Sequence, residues 1–328
     1  MDASLRTVQR LLGQWAPHVP AAEGGRPTLE TLPAGAESPR IARAPMAEDG
    51  PFRARAVVGE PIQEFRGFLD GAQQSQVMYE RGVPIVYGLA AAVIRERRDR
   101  RLVTWRRGVL QDRGVYAPVA LVPEACERLA EHGIDVIDTG LLAEADGVGV
   151  PSEGAHPATL TDRARRCLEV RREQLEYELA DEWCASEDAP LYVDGGIGRN
   201  ERTATAVMAI GVGQRHHTLY GGADAVAVLA ALRAGERTTV FRPPAGRRAP
   251  VLSWYLRLRD ATGREPTWGL VRVESADRAG DITERADEVS RWVLAERVPL
   301  ALPGERWHAL AYGIRDCKEM LRAVMTIA

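Results

Sequence analysis

Cysteine is scarce in this chain. Its 328 residues hold four, Cys126, Cys167, Cys184 and Cys317, at wide intervals with no paired metal-ligand spacing. That excludes a disulfide scaffold and a cysteine-built zinc site, and fits reduced thiols in a core. Long apolar runs are missing too. None approaches the roughly 20 residues of a membrane-crossing helix, and no signal-peptide core opens the chain, so the expectation is a cytoplasmic protein with no membrane partner. Neither sign of charge dominates: a net charge of −3 excludes a global basic field for nucleic acid, and any such contact must rest on local patches. No repeat of solenoid period is present. What is present is an ordinary hydrophobic share, 45%, enough at this length for one large domain with appendages.

Leu5, Val8, Leu11, Leu12 and Trp15 recur at helical spacing and predict a short amphipathic N-terminal helix. Residues 17–51 turn to Pro, Gly, Ala and Glu with little periodicity, the composition of a flexible linker. The expected division is therefore 1–50, helix and linker, and 51–328, the main domain. A helix tethered in this way either caps its own domain or docks on a partner or a second subunit, and the expectation for Leu5–Trp15 is a dimer or partner contact. From Ile62 the chain reads as a strand meander, in which Leu89–Ile94 fits a strand or the start of a helix. A long helix is expected over Thr161–Trp183, opened by Thr159 or Thr161 as its cap. Strands are expected at Leu191–Asp194, Ala204–Val212, Val251–Leu258 and Gly269–Glu274, and helices at Ile282–Glu296 and Trp307–Val324. This order argues for an α/β or α+β domain with a mixed central sheet flanked by helices.

Two short apolar runs end alike, Gly67-Phe-Leu-Asp-Gly-Ala-Gln73 and Leu191-Tyr-Val-Asp-Gly-Gly196. Each Asp-Gly step is either a plain strand-ending turn or a carboxylate placed at the end of a buried strand, where a charge is costly without a cation beside it. On the long helix, Leu168, Leu175, Leu179 and Trp183 share one face. Glu176 and Glu182 lie at its edges and Glu173 further round. Mg²⁺ and Mn²⁺ take hard oxygen ligands, several of them carboxylates, and paired ions of this kind serve phosphodiester cleavage. Asp70, Glu176 (or Glu173 or Glu182), Asp194 and Asp316 are the candidates from the residues themselves.

The runs Phe68-Leu-Asp-Gly-Ala72, Arg171-Arg-Glu-Gln-Leu-Glu-Tyr-Glu-Leu179, Leu191-Tyr-Val-Asp-Gly-Gly196 and Ile210-Gly-Val-Gly-Gln-Arg-His216 resemble the NurA family, nucleases of DNA double-strand-break processing. The resemblance spans residue 60 to the C-terminus. It implies an RNase H-like core, a Mn²⁺-dependent nuclease site, a homodimer, and docking on the hexameric HerA translocase. Carried over position by position, it implies Asp70, Glu176 and Asp194 as catalytic metal ligands, with Glu173 as runner-up on the helix. The chain departs from the family's Asp-Gly-Ser at both turns, carries Gln214 where a lysine is common, and has Ala311-Tyr312 where Ala-His is common. His308 and Asp316 are the candidates for the last ligand. A sugar-kinase or actin-like phosphotransferase also uses strand-end Asp-Gly turns, but its paired phosphate loops and adenosine motif are missing. A subunit that binds DNA or a motor without cutting is the alternative of another class.

A DNA track is expected from Arg215, His216, Arg247, Arg248 and Arg257 around the Trp254-Tyr255 pair, through phosphate contacts and base stacking. The competing expectation is an arginine-rich edge of a packed sheet.

Overall fold

The computed structural model describes residues 3–13, 39–140, 155–244, 248–297 and 311–325. Its strands are β1 (Arg40–Ala42), β2 (Ala54–Ala56), β3 (Gly67–Glu80), β4 (Val83–Arg98), β5 (Arg101–Thr104), β6 (Leu110–Ala117) and β7 (Val136–Asp138). They continue with β8 (Leu191–Asp194), β9 (Ala209–Gly213), β10 (Thr218–Tyr220), β11 (Glu236–Thr238), β12 (Val251–Arg257) and β13 (Leu270–Ala276). The helices with described bounds are α1 (Ala3–Gly13), α2 (Pro123–Glu131), α3 (Pro157–Ser186), α4 (Glu201–Thr205), α5 (Ala225–Ala231), α6 (Ile282–Ala295) and α7 (Tyr312–Val324).

An 11-stranded mixed sheet runs β2-β11-β12-β13-β9-β8-β3-β4-β6-β7, with β5 on β4. The hairpin β3–β4 pairs antiparallel from Gly67↔Glu96 to Glu80↔Val83. On its other side β3 is parallel to β8, and β8 is parallel to β9. Alternation sends Phe68 and Ala72 to one face and Leu69 to the other. In β4, Tyr87, Leu89, Ala91 and Val93 face one way and Val86, Ala90, Ala92 and Ile94 the other. Both faces are covered, so this strand reads as an unbroken apolar run, and Leu89–Ile94 is strand rather than helix.

The long helix α3 covers the Leu69 face with Leu168, Leu175, Leu179 and Trp183. It starts at Pro157, with His156 rather than a threonine as cap: Nδ1 of His156 accepts the Ala158 amide at 3.1 Å. The opposite face carries α6 and α7, whose Val289, Trp292, Ile314, Cys317 and Leu321 pack with Phe65, Phe68 and Tyr192. Leu5, Val8, Leu11 and Leu12 of α1 are buried in this same cluster, so the helix spends its apolar face on its own chain. Trp15 lies outside the described residues.

Sequence and structure differ in two further places. Part of the stretch read as linker is built into the body: β1 pairs with β10, and Glu48 is buried against Arg237, with Arg237 nitrogens 2.9 Å from both carboxylate oxygens. The strand expected over Ala204–Val212 is split, because Asn200 caps a short helix by accepting the Arg202 amide at 3.0 Å, leaving β9 to begin at Ala209. No helix among the described residues is long and apolar enough to cross a membrane.

Candidate functional site

The last register pair between β3 and β8 is Leu69↔Val193. One step on, β8 ends while β3 continues with β4, and the sheet opens into a notch lined by Asp70 and Asp194. Both carboxylates share the parity of Phe68 and Tyr192 and point toward α7. Between them stands Lys318, its Nζ 3.0 Å from Asp70 Oδ2 and 3.0 Å from Asp194 Oδ2. Gln214 Nε2 lies 3.4 Å from Asp194 Oδ1.

Three features of α7 put the ammonium there. Gly313 lets the first turn lie on β3; a Cβ at that position would come within 2.5 Å of Phe68 Cδ2. Cys317 Sγ donates to the Phe68 carbonyl at 3.1 Å. Asp316 pairs with Arg95 of β4. Lys318 then projects from the packed face with its side chain 25% exposed.

Glu176 arrives from the other side of the sheet. It meets β3 at Gly71, where a Cβ would stand 2.8 Å from Glu176 Cδ and 2.9 Å from Cγ. Arg172, one turn earlier on α3, holds its Oε1 at 2.5 Å and reaches Gln73 at 3.3 Å. Glu173 pairs with Arg199, beyond the Asp194 turn. Four acids thus face three cations, Lys318, Arg172 and Arg199.

Burial pushes the Asp70 carboxyl up to about 7; Lys318 pulls it down, while Asp194 and Glu176 push it further up. Burial likewise raises Glu176 despite Arg172, with Glu173 and Asp194 adding to the rise. Burial would lower Lys318, but Asp194 and Asp70 outweigh it and hold the ammonium well above the usual lysine range. The carboxylates therefore sense one another electrostatically across the notch.

No protein-family model matches this chain, and no curated protein matches it. Among solved structures it is similar to one titled the crystal structure of the NurA nuclease from Sulfolobus solfataricus. The identity is 10%, the match covers 83% of this chain and 86% of that chain, and the TM-score is 0.44.

Three carboxylates on hard oxygen atoms match the donor chemistry of Mg²⁺ or Mn²⁺. Asp70 is 5% exposed, and its buried Oδ2 has the Lys318 ammonium as its ion-pair partner, so this oxygen already faces a cation. Among the described residues no group of three or more His, Cys, Asp or Glu forms a ready-made ion cage. Between two of the donors stands the Lys318 ammonium. The fit to a divalent ion is therefore one of donor chemistry, carboxylate oxygens alone, with an ammonium now between two of them.

The other expected site residues scatter. Asp316 is spent on Arg95 and Glu182 on Arg107, at 3.1 Å. His308 and Arg247 lie outside the described residues. Arg257 is fully buried and donates to the carbonyls of Trp268, Leu229 and Pro266, so it is a scaffold residue unavailable to DNA. Trp254 and Tyr255 are equally buried and offer no stacking surface. His216 Nε2 donates to the Leu270 carbonyl at 3.1 Å. Burial lowers its pKa to about 4, against the carbonyl's opposing pull, which makes it a neutral ring at pH 7 and a poor phosphate ligand. Arg215 and Arg248 are exposed. The first adjoins Gln214, and the second sits in the segment bound to the Asp194 turn through Ala249 N to Gly198 O, 2.7 Å.

Sequence reasoning missed Lys318. A lysine on an amphipathic helix reads as a solvated charge. The available signal was composition: of 43 basic residues, Lys318 is the one lysine and the other 42 are arginines.

Proposed function

We propose that this chain is a metal-dependent deoxyribonuclease that hydrolyses phosphodiester bonds at Asp70, Glu176 and Asp194. The observation that carries the proposal is that Asp70 and Asp194, at two parallel strand ends, share one cation, while Glu176 reaches β3 at the next residue, Gly71, from the helix on the other face. Strand order β6-β4-β3-β8-β9, antiparallel then parallel, supports an RNase H-like reading of the core. Bound Mn²⁺ or Mg²⁺ would supply an activated water and neutralise charge on the phosphate. The protein's part is positional. Asp70 and Asp194 present oxygens toward α7, Arg172 fixes Glu176, and Gly71 leaves the space that Glu176 needs. Arg215 and Arg248, both exposed, would hold the flanking phosphates.

The motif resemblance supports a cytoplasmic homodimer acting on DNA ends with a HerA-type hexameric ATPase, in repair or in defence against foreign DNA. A second reading, a subunit that binds DNA or a motor without cutting, is favoured by one observation: Lys318 already neutralises the carboxylates that an ion would need. Incubating the purified protein with linear DNA in Mn²⁺, in Mg²⁺ or in EDTA, alone and with the translocase, separates the two. Cleavage that depends on the ion supports the nuclease; no cleavage in any mixture supports the second reading.

A further inference from the structure

An ammonium 3.0 Å from two carboxylate oxygens stands where an ion bridging Asp70 and Asp194 would have to sit. Two cations cannot share that position, because their repulsion at such a distance is large even in a polar medium. The choice of cation is informative. In this chain every described ion pair uses arginine except the two made by Lys318. Guanidinium is a planar fork that locks onto carboxylates. Lysine is a compact point charge on a flexible four-carbon stem, with a part-exposed path to solvent here. Such a group both fills an ion's position and leaves it. The helix behind it is fixed by Gly313, Cys317 and Asp316, so withdrawal needs only side-chain rotation.

We propose that Lys318 is a resident cation of the site. It holds Asp70 and Asp194 together without metal and is displaced when a divalent ion binds, so the lysine sets the threshold for loading. The proposal deepens the nuclease reading and rests on the same carboxylates. By population arithmetic, if the withdrawn state is occupied about a tenth of the time, the lysine weakens apparent ion affinity about tenfold.

Two measurements test it on the full chain. Because Lys318 is the only lysine, a brief pulse of an amine-acylating reagent, read by peptide mass, reports one ε-amine. Saturating Mn²⁺ is expected to raise acylation of Lys318 several-fold over EDTA, the displaced amine being exposed. Calorimetry with Mn²⁺ alone should show binding to Lys318→Met about tenfold tighter than to wild type, the gain vanishing in Lys318→Met with Asp194→Asn. Mn²⁺ binding that leaves acylation unchanged overturns the proposal, as does equal Mn²⁺ affinity in wild type and Lys318→Met, or no binding to either. DNA cleavage is scored separately. Ion-dependent cleavage with unchanged acylation leaves the nuclease reading and removes this one. Displacement without any cleavage does the reverse.

Discussion

Gly71→Ala tests the geometry of the notch with a single methyl group. Gly71 does not lie at positive φ, so alanine meets no backbone penalty and gains slightly in chain entropy, about 0.5–1 kcal/mol. The cost is steric. The new carbon would stand 2.8 Å from Glu176 Cδ and 2.9 Å from Cγ, whereas carbon atoms pack at about 3.5–4.0 Å, so the carboxylate must retreat by roughly 1 Å. Arg172 grips it at 2.5 Å and resists. Overpacking of this kind costs about 1–3 kcal/mol, leaving a net loss of about 0–2.5 kcal/mol by urea unfolding. The functional loss is expected to be larger, since a 1 Å misplacement costs about 100-fold in rate. Glu176→Asp, shorter by about 1.5 Å, should absorb the methyl group and return the stability of the double variant while activity stays low. Wild-type cleavage in Gly71→Ala, or no stability coupling between the two positions, would refute the described contact.

Arg237→Met should strand Glu48 and Asp287, which the guanidinium holds at 2.9 and 2.6 Å, and lower stability by about 3–5 kcal/mol; a change under about 1 kcal/mol in urea would contradict the pairing. His216 binds protons more weakly folded, at about 4, than unfolded, at about 6.5. Between these values the unfolded state holds more protons, so stability rises with pH across the window and is lost as pH falls through it, by roughly 3 kcal/mol. His216→Gln should flatten that slope, and an unchanged slope would sink the assignment. Val8→Asp places a charge at a fully buried position of α1 and should cost about 3 kcal/mol or more without changing assembly; altered assembly at unchanged melting temperature would put the helix on a partner instead.

The α3 stripe was legible because a helix with one polar face prints its period plainly, and Leu168, Leu175, Leu179 and Trp183 are all buried. The ends of β3 and β8 were legible from repeated Asp-Gly steps after short apolar runs. Strand β12 misled, because both of its faces are covered. All seven of its residues are buried, so the alternation of Arg257 with apolar neighbours does not mark a solvent face. Strand β1, inside the proline- and glycine-rich stretch, and β2, just after it, were hidden because each is three residues long and is held by distant partners. Lys318 was illegible locally, since its meaning comes from two carboxylates more than a hundred residues away. Its uniqueness among arginines was the only trace it left.

The most direct test of the central claim is cleavage of linear DNA in Mn²⁺ by Asp194→Asn beside wild type, with unfolding curves to show that both are folded. Asparagine keeps the shape of Asp194 and removes one charge from the notch. Wild type should cut, and Asp194→Asn should fall at least about 100-fold, as expected for loss of a group acting on the reaction. Wild-type cleavage by a folded Asp194→Asn would contradict the claim that these carboxylates carry the chemistry.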